Sequence, residues 1–203
     1  MKLNLPNKLT VLRMILVPIF VVVMMVSDAL WASITGLCLF VIASLTDMLD
    51  GKIARRNNLI TDFGKFMDPL ADKFMVLGAM LVILYKSLTR EDVNTLFCAI
   101  FFWAVLIVIF RELAVTSIRL VLSGSSGLVV PANMLGKIKT CTQIACVIAC
   151  IAEPLFYQNI PSLEHLMKIL PLSLTTAVLM LFFTLWSGIN YIASYWKYLD
   201  PEK

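Results

Sequence analysis

Six apolar stretches, each long enough to cross a bilayer as a helix, take up most of the chain. They run from about Leu9 to Ser27, Ala29 to Thr46, Phe66 to Tyr85, Val93 to Phe110, Leu135 to Ala152 and Ile169 to Trp196. The hydrocarbon core of a membrane is about 30 Å thick, so a helical span needs about 20 mostly apolar residues. The composition agrees. Of 203 residues 60% are hydrophobic, and the mean hydropathy is +0.90. Soluble domains are only about half apolar. The expected fold is therefore all-α: a polytopic membrane helix bundle of six transmembrane helices with a short N-terminal juxtamembrane segment, forming one domain over residues 1–203. The first stretch follows Lys2, Lys8 and Arg13 and has no small-residue cleavage site, so it reads as a retained span.

The basic residues orient the bundle. In a six-span arrangement Lys2, Lys8, Arg13, Lys52, Arg55, Arg56, Lys65, Lys73, Arg111, Arg119, Lys137, Lys139, Lys197 and Lys203 share one side. Only Lys86, Arg90 and Lys168 fall on the other. Positive charge accumulates on the cytoplasmic face, so both termini and the segment between the second and third spans are expected there, in a cell-membrane protein. Breakers mark the connections: Ser123 to Gly127 with Pro131 between the fourth and fifth spans, Pro154 and Pro161 between the fifth and sixth. The five Cys lie in apolar segments without C-x-x-C spacing. They are expected to be buried small hydrophobes. The single His, His165, offers no zinc site.

One segment departs from this apolar regime. Asp47 and Asp50 stand three residues apart at the end of the second span, and Asp68 and Asp72 four apart at the start of the third. Spacings of three and four place side chains on one helix face. If the two helices are antiparallel neighbours, the four carboxylates converge. Ionisable groups at the edge of lipid are costly and mark functional sites. Converging carboxylates need cations. Lys73 and Arg55 neutralise part of the charge, and an oxygen-only donor set suits Mg²⁺, Mn²⁺ or Ca²⁺ rather than zinc. Two carboxylate-bridged metals are a recurrent device for phosphoryl transfer. Gly51, Ala54 and Gly64 would admit a ligand close to the backbone, and Arg55 would hold a phosphate oxygen. Asp62 breaks the helical spacing and reads as a loop residue.

The residues Asp47-Met-Leu-Asp50-Gly51-Lys-Ile-Ala54-Arg55, then eight residues, then Gly64-Lys-Phe-Met-Asp68-Pro-Leu-Ala-Asp72 fit the pattern D-x2-D-G-x2-A-R-x8-G-x3-D-x3-D at every fixed position. This resembles the signature of the CDP-alcohol phosphatidyltransferase family, and the six-span layout extends the resemblance along nearly the whole chain. The resemblance implies an enzyme, a phosphatidyltransferase that displaces CMP from a CDP-linked lipid with an alcohol. It implies that Asp47, Asp50, Asp68 and Asp72 bind two divalent cations, Mg²⁺ or Mn²⁺, that Asp72 is also the general base, and that Gly51, Ala54, Arg55 and Gly64 line the CDP pocket. Assembly as a homodimer is implied in the same way.

The acceptor must be read elsewhere. Arg111, Arg119, Lys137 and Lys139 gather near the same membrane boundary and suit a phosphorylated acceptor, whereas serine would not need them. Lys137 and Lys139 point to different helix faces, so at most one is expected at the pocket. The stretch Asn4-Leu-Pro6-Asn7-Lys8-Leu9-Thr10 with Arg13 and Pro18, the pair Arg111-Glu112, and Gly136-Lys137-Ile-Lys139-Thr140 are similar to the glycerophosphate-accepting branch of the family. That similarity implies CDP-diacylglycerol and sn-glycerol 3-phosphate as substrates, phosphatidylglycerol phosphate and CMP as products, and contacts from Asn7 and Thr10 to the nucleotide. The alternatives are another acceptor (inositol phosphate, serine or phosphatidylglycerol) or a membrane prenyltransferase, whose Asp motifs lack the D-G-x2-A-R continuation. A cation transporter would need broken-helix repeats, which are not evident.

Overall fold

A computed structural model describes residues 4–56, 61–90, 93–125 and 134–196, and everything described is helix, short connection or cap. Six α-helices follow one another: α1 (Leu5–Val26), α2 (Leu30–Arg56), α3 (Asp62–Thr89), α4 (Thr95–Ser125), α5 (Met134–Asn159) and α6 (Pro171–Tyr195), with a 3-10 helix, Pro161–Lys168, before the last. Helices α1, α2, α4, α5 and α6 contain stretches long and apolar enough to cross a membrane. Helix α3 is as long, with 28 residues, but carries Asp68, Asp72 and Lys73 in its first half and Lys86 near its end. The chain is a polytopic helical membrane protein.

Short connections make successive helices run up and down. The start of α1, end of α2, start of α3, end of α4, start of α5 and end of α6 thus share one end of the bundle, here called the motif end. Cross-helix pairs establish this. Arg13 pairs with Asp47, Lys139 with Glu112, and Arg111 Nη2 donates to Ser187 Oγ at 2.8 Å. At the opposite end Lys86 pairs with Asp28 at 2.8 Å. Phe40, Met75, Met80, Phe101 and Val108 fill the interior, while Trp31, Trp103, Phe182 and Ile189 are exposed on the outside, as lipid-facing positions should be.

Five expectations need correction. Helices α2 and α3 touch over little of their length; α1 packs along both and stands between them. Pro154 lies inside α5, as Pro18 does in α1 and Pro69 in α3. A membrane helix tolerates this because neighbouring helices and local adjustments satisfy the freed backbone groups. Ser123, Gly124 and Ser125 continue α4, and Asp62 opens α3 directly after its N-cap rather than lying in a loop. Of the five Cys, all free, Cys38 and Cys141 are exposed. An apolar position in a span is as well served by lipid as by the protein interior, so hydropathy alone does not imply burial.

One buried acid closes the opposite end. Glu153 is 3% exposed and accepts from the first backbone N–H groups of α6, Leu172 at 2.8 Å and Ser173 at 2.6 Å, and from Tyr157 at 2.9 Å. Donors at a helix N-terminus otherwise lack partners and favour an anion. Leu170, just before α6, is held at φ 46°, a conformation that a branched side chain rarely adopts.

Candidate active site

Helix α1 builds one half of the site. Asn7, Thr10 and Arg13 recur every three residues and so lie on adjoining parts of one face. Thr10 and Arg13 are 0% exposed and Asn7 5%. Three fully buried polar side chains in one membrane helix need partners, and they find them on α2 and at the start of α3. Arg13 donates to Asp47 on α2, and Thr10 Oγ1 donates to Asp68 Oδ1 on α3 at 2.6 Å. Asn7 Nδ2 donates to Thr61 Oγ1 at 3.0 Å. Thr61 is the N-cap of α3, its hydroxyl accepting from Gly64 N at 3.1 Å. Helix α1 is thus a strut that fixes the two Asp-bearing helices and holds them apart.

Gly64 makes that contact possible. A Cβ there would lie 3.1 Å from Asn7 Oδ1, 3.3 Å from Thr61 Oγ1 and 3.7 Å from Asp68 Oδ2. Its missing side chain is therefore used by the protein's own polar groups at this corner.

Helices α3, α4 and α5 build the other half. Glu112 receives Lys139 from α5 and its neighbour Arg111, the latter at 3.0 Å. Lys73 donates to Thr116, whose own hydroxyl donates to the Glu112 carbonyl at 2.7 Å. Arg111 lies against α6, where a Cβ on Gly188 would come within 3.1 Å of its Cγ. Between these groups is a cavity of about 10 Å³, bounded by Asp72, Lys73, Glu112, Lys139 and Gln143 among others. Asp72 is within electrostatic range of Asp47, Lys139, Glu112 and Arg13, so it links the two halves. A larger cavity, about 60 Å³, lies at the opposite end beside Lys86 and Pro154 and holds none of the motif Asp.

Of the acceptor-side cations, Lys139 is buried and faces Asp72 across the cavity, and Arg111 joins it through Glu112. Lys137 and Arg119 are exposed and outside this cluster. Residues 50–56 complete α2, but the side chains of Asp50, Ala54 and Arg55 lie outside the described residues, as does any placement of Gly51 against a ligand. Thr61, Thr116, Ser187 and Gln143 are additional members that the motif does not contain. Thr61 has a local signal, a Thr three residues ahead of Gly64 at a helix start; the others are set by packing between helices.

The donor set fits divalent cations by its chemistry. Asp47, Asp68 and Asp72 offer only oxygen. Asp47 is within electrostatic range of Asp68, and Asp72 of Asp47. Asp47 and Asp68 each accept from a buried donor on α1, the outer-layer support typical of metal-binding carboxylates. Among the described residues no three acidic, His or Cys side chains gather tightly around one point.

Comparison with known proteins adds an independent finding. A sequence model described as CDP-alcohol phosphatidyltransferase matches residues 3–196. A Bacillus subtilis protein named CDP-diacylglycerol–glycerol-3-phosphate 3-phosphatidyltransferase is 42% identical, covering 98% of both chains. A Salmonella paratyphi A protein of the same name is 32% identical over 96% of both, and one from Rickettsia felis 37% identical over 70% of this chain and 71% of its own. With the motif, the bundle and a match along nearly its whole length, the chain belongs to the CDP-alcohol phosphatidyltransferase family.

Proposed function

We propose that this chain transfers the phosphatidyl group of CDP-diacylglycerol to sn-glycerol 3-phosphate, giving phosphatidylglycerol phosphate and CMP. The observation that carries the reading is the shared cavity of Asp72 and Lys139. A carboxylate able to take a proton stands there beside a buried cation able to hold a phosphate. The relatives that match along the chain bear the name of this activity.

In the proposed reaction the C1 hydroxyl oxygen of glycerol 3-phosphate bonds to the phosphatidyl phosphorus, and the bond from that phosphorus to the CMP oxygen breaks. Asp72 takes the hydroxyl proton and passes it to solvent. Lys139, with Arg111 behind it, orients the acceptor phosphate. Asp47, Asp50, Asp68 and Asp72 would hold two divalent cations, Mg²⁺ or Mn²⁺, which when bound neutralise charge on the pyrophosphate. Arg13 and Thr10 keep Asp47 and Asp68 aimed, while Gly51, Ala54 and Arg55 border the nucleotide and Gly64 makes room for Asn7 and Thr61 beside Asp68. The excess of Lys and Arg at the motif end supports a cytoplasmic site in the cell membrane. The family likeness supports a homodimer, for which native mass spectrometry should find a two-chain species and not a single chain.

The test is CMP release by purified protein given CDP-diacylglycerol, Mg²⁺ and one acceptor at a time. Release with glycerol 3-phosphate, and not with inositol phosphate, serine or phosphatidylglycerol, is expected. Release only with another acceptor would reassign the cation pair, and none with any would refute the activity.

A further inference from the structure

Gln143 is 2% exposed, and among the described residues its Nε2 has no hydrogen-bond partner. A buried amide left unpaired is costly, so such groups call for a function or a ligand. Gln143 also lines the cavity of Asp72 and Lys139. Lys139 and Gln143 are four apart on α5, as are Asp72 and Val76 on α3, and Glu112 and Val108 on α4. With the helix directions given above, the cavity has two layers one turn apart, about 6 Å. Asp72, Glu112 and Lys139 form the layer nearer the motif end. Val76 and Val108 form an apolar floor in which the Gln143 amide is the polar group.

Resting on the proposed activity, we infer that Gln143 recognises the non-reacting hydroxyl of the acceptor and so selects a glycerol phosphate over a chain that lacks it. In sn-glycerol 3-phosphate the C2 hydroxyl lies between the reacting C1 hydroxyl and the phosphate. With C1 at Asp72 and the phosphate at Lys139, C2 faces the polar group of the cavity floor, Gln143. The cavity, about 10 Å³, has room for one water-sized oxygen, hence for the C2 hydroxyl alone and not for the rest of the acceptor. A site built to bond a hydroxyl rejects the analogue without it, because the site's own polar group is then orphaned.

The test compares sn-glycerol 3-phosphate with 3-hydroxypropyl phosphate, which keeps the phosphate and the reacting hydroxyl and lacks only the middle one. CMP release from CDP-diacylglycerol is followed with wild type, Gln143→Leu and Gln143→Met. Wild type should favour glycerol 3-phosphate in kcat/KM by about tenfold to a hundredfold. Both variants should lose that preference by slowing with glycerol 3-phosphate alone. Equal wild-type rates with the two acceptors would mean that only water fills the cavity, and would overturn the inference whatever the variants do. Equal losses with both acceptors in the variants would also overturn it, since a purely structural role acts that way. Failure of wild type with both acceptors would instead refute the activity on which the inference rests.

Discussion

Thr10→Val tests the strut most cleanly. Valine matches threonine in shape and removes only the hydroxyl. That hydroxyl lies 2.6 Å from Asp68 Oδ1, in a residue that is 0% exposed, so water does not replace it. A hydrogen bond to a charged group contributes about 1.5–3 kcal/mol, which at about 1.4 kcal/mol per decade is roughly tenfold to a hundredfold. Loss of an outer-layer partner of a metal-binding carboxylate has the same scale, about 10–100-fold in metal affinity. The assay is CMP release titrated with Mg²⁺. The Mg²⁺ concentration for half-maximal rate should rise within that range, and Thr10→Ser should restore it. An unchanged Mg²⁺ dependence in Thr10→Val, with the protein folded, would refute the claim that α1 positions Asp68.

Three further outcomes follow from other contacts. Asp72→Asn should lower kcat by about 10²–10⁴, the usual contribution of a general base, while CDP-diacylglycerol binding by calorimetry persists; full activity would remove Asp72 as base. Lys139→Met should raise KM for glycerol 3-phosphate about tenfold to a hundredfold through loss of a charge-assisted phosphate contact, with KM for CDP-diacylglycerol unchanged. A shift in the lipid KM instead would move Lys139 to the nucleotide side. Glu153→Ala removes an acceptor of backbone bonds to Leu172 and Ser173. Thermal unfolding in detergent should show a loss of at least about 3 kcal/mol, about 1.5 kcal/mol for each of the two backbone bonds, with the bonds from Tyr157 and the Ser173 hydroxyl lost as well; an unshifted midpoint would mean that those bonds contribute nothing.

The sequence made the bundle legible because lipid imposes a strong rule. Length and hydropathy alone mark α1, α2, α4, α5 and α6, and the spacing of Asp47, Asp50, Asp68 and Asp72 marks the acidic corner. Helix neighbours were not legible. The short link between the second and third spans suggests that α2 and α3 pair, yet the buried face of Asn7, Thr10 and Arg13 brings α1 between them. Proline reads as a breaker in soluble chains, so Pro154 suggests a helix end that membrane packing overrides. Arg111, Lys137 and Lys139 are equivalent by charge. Packing distinguishes Arg111 and Lys139, which share the carboxylate of Glu112, from the exposed Lys137. Glu153 and Gln143 are single polar residues in apolar runs, with nothing local to reveal what they face.

The measurement closest to the central claim follows one oxygen atom. Glycerol 3-phosphate carrying ¹⁸O in its C1 hydroxyl is turned over with CDP-diacylglycerol and Mg²⁺, and both products are weighed by mass spectrometry. Attack of that hydroxyl on the phosphatidyl phosphorus requires the label in the phosphatidylglycerol phosphate and none in CMP. CMP released without labelled lipid, or label found in CMP, would contradict the account.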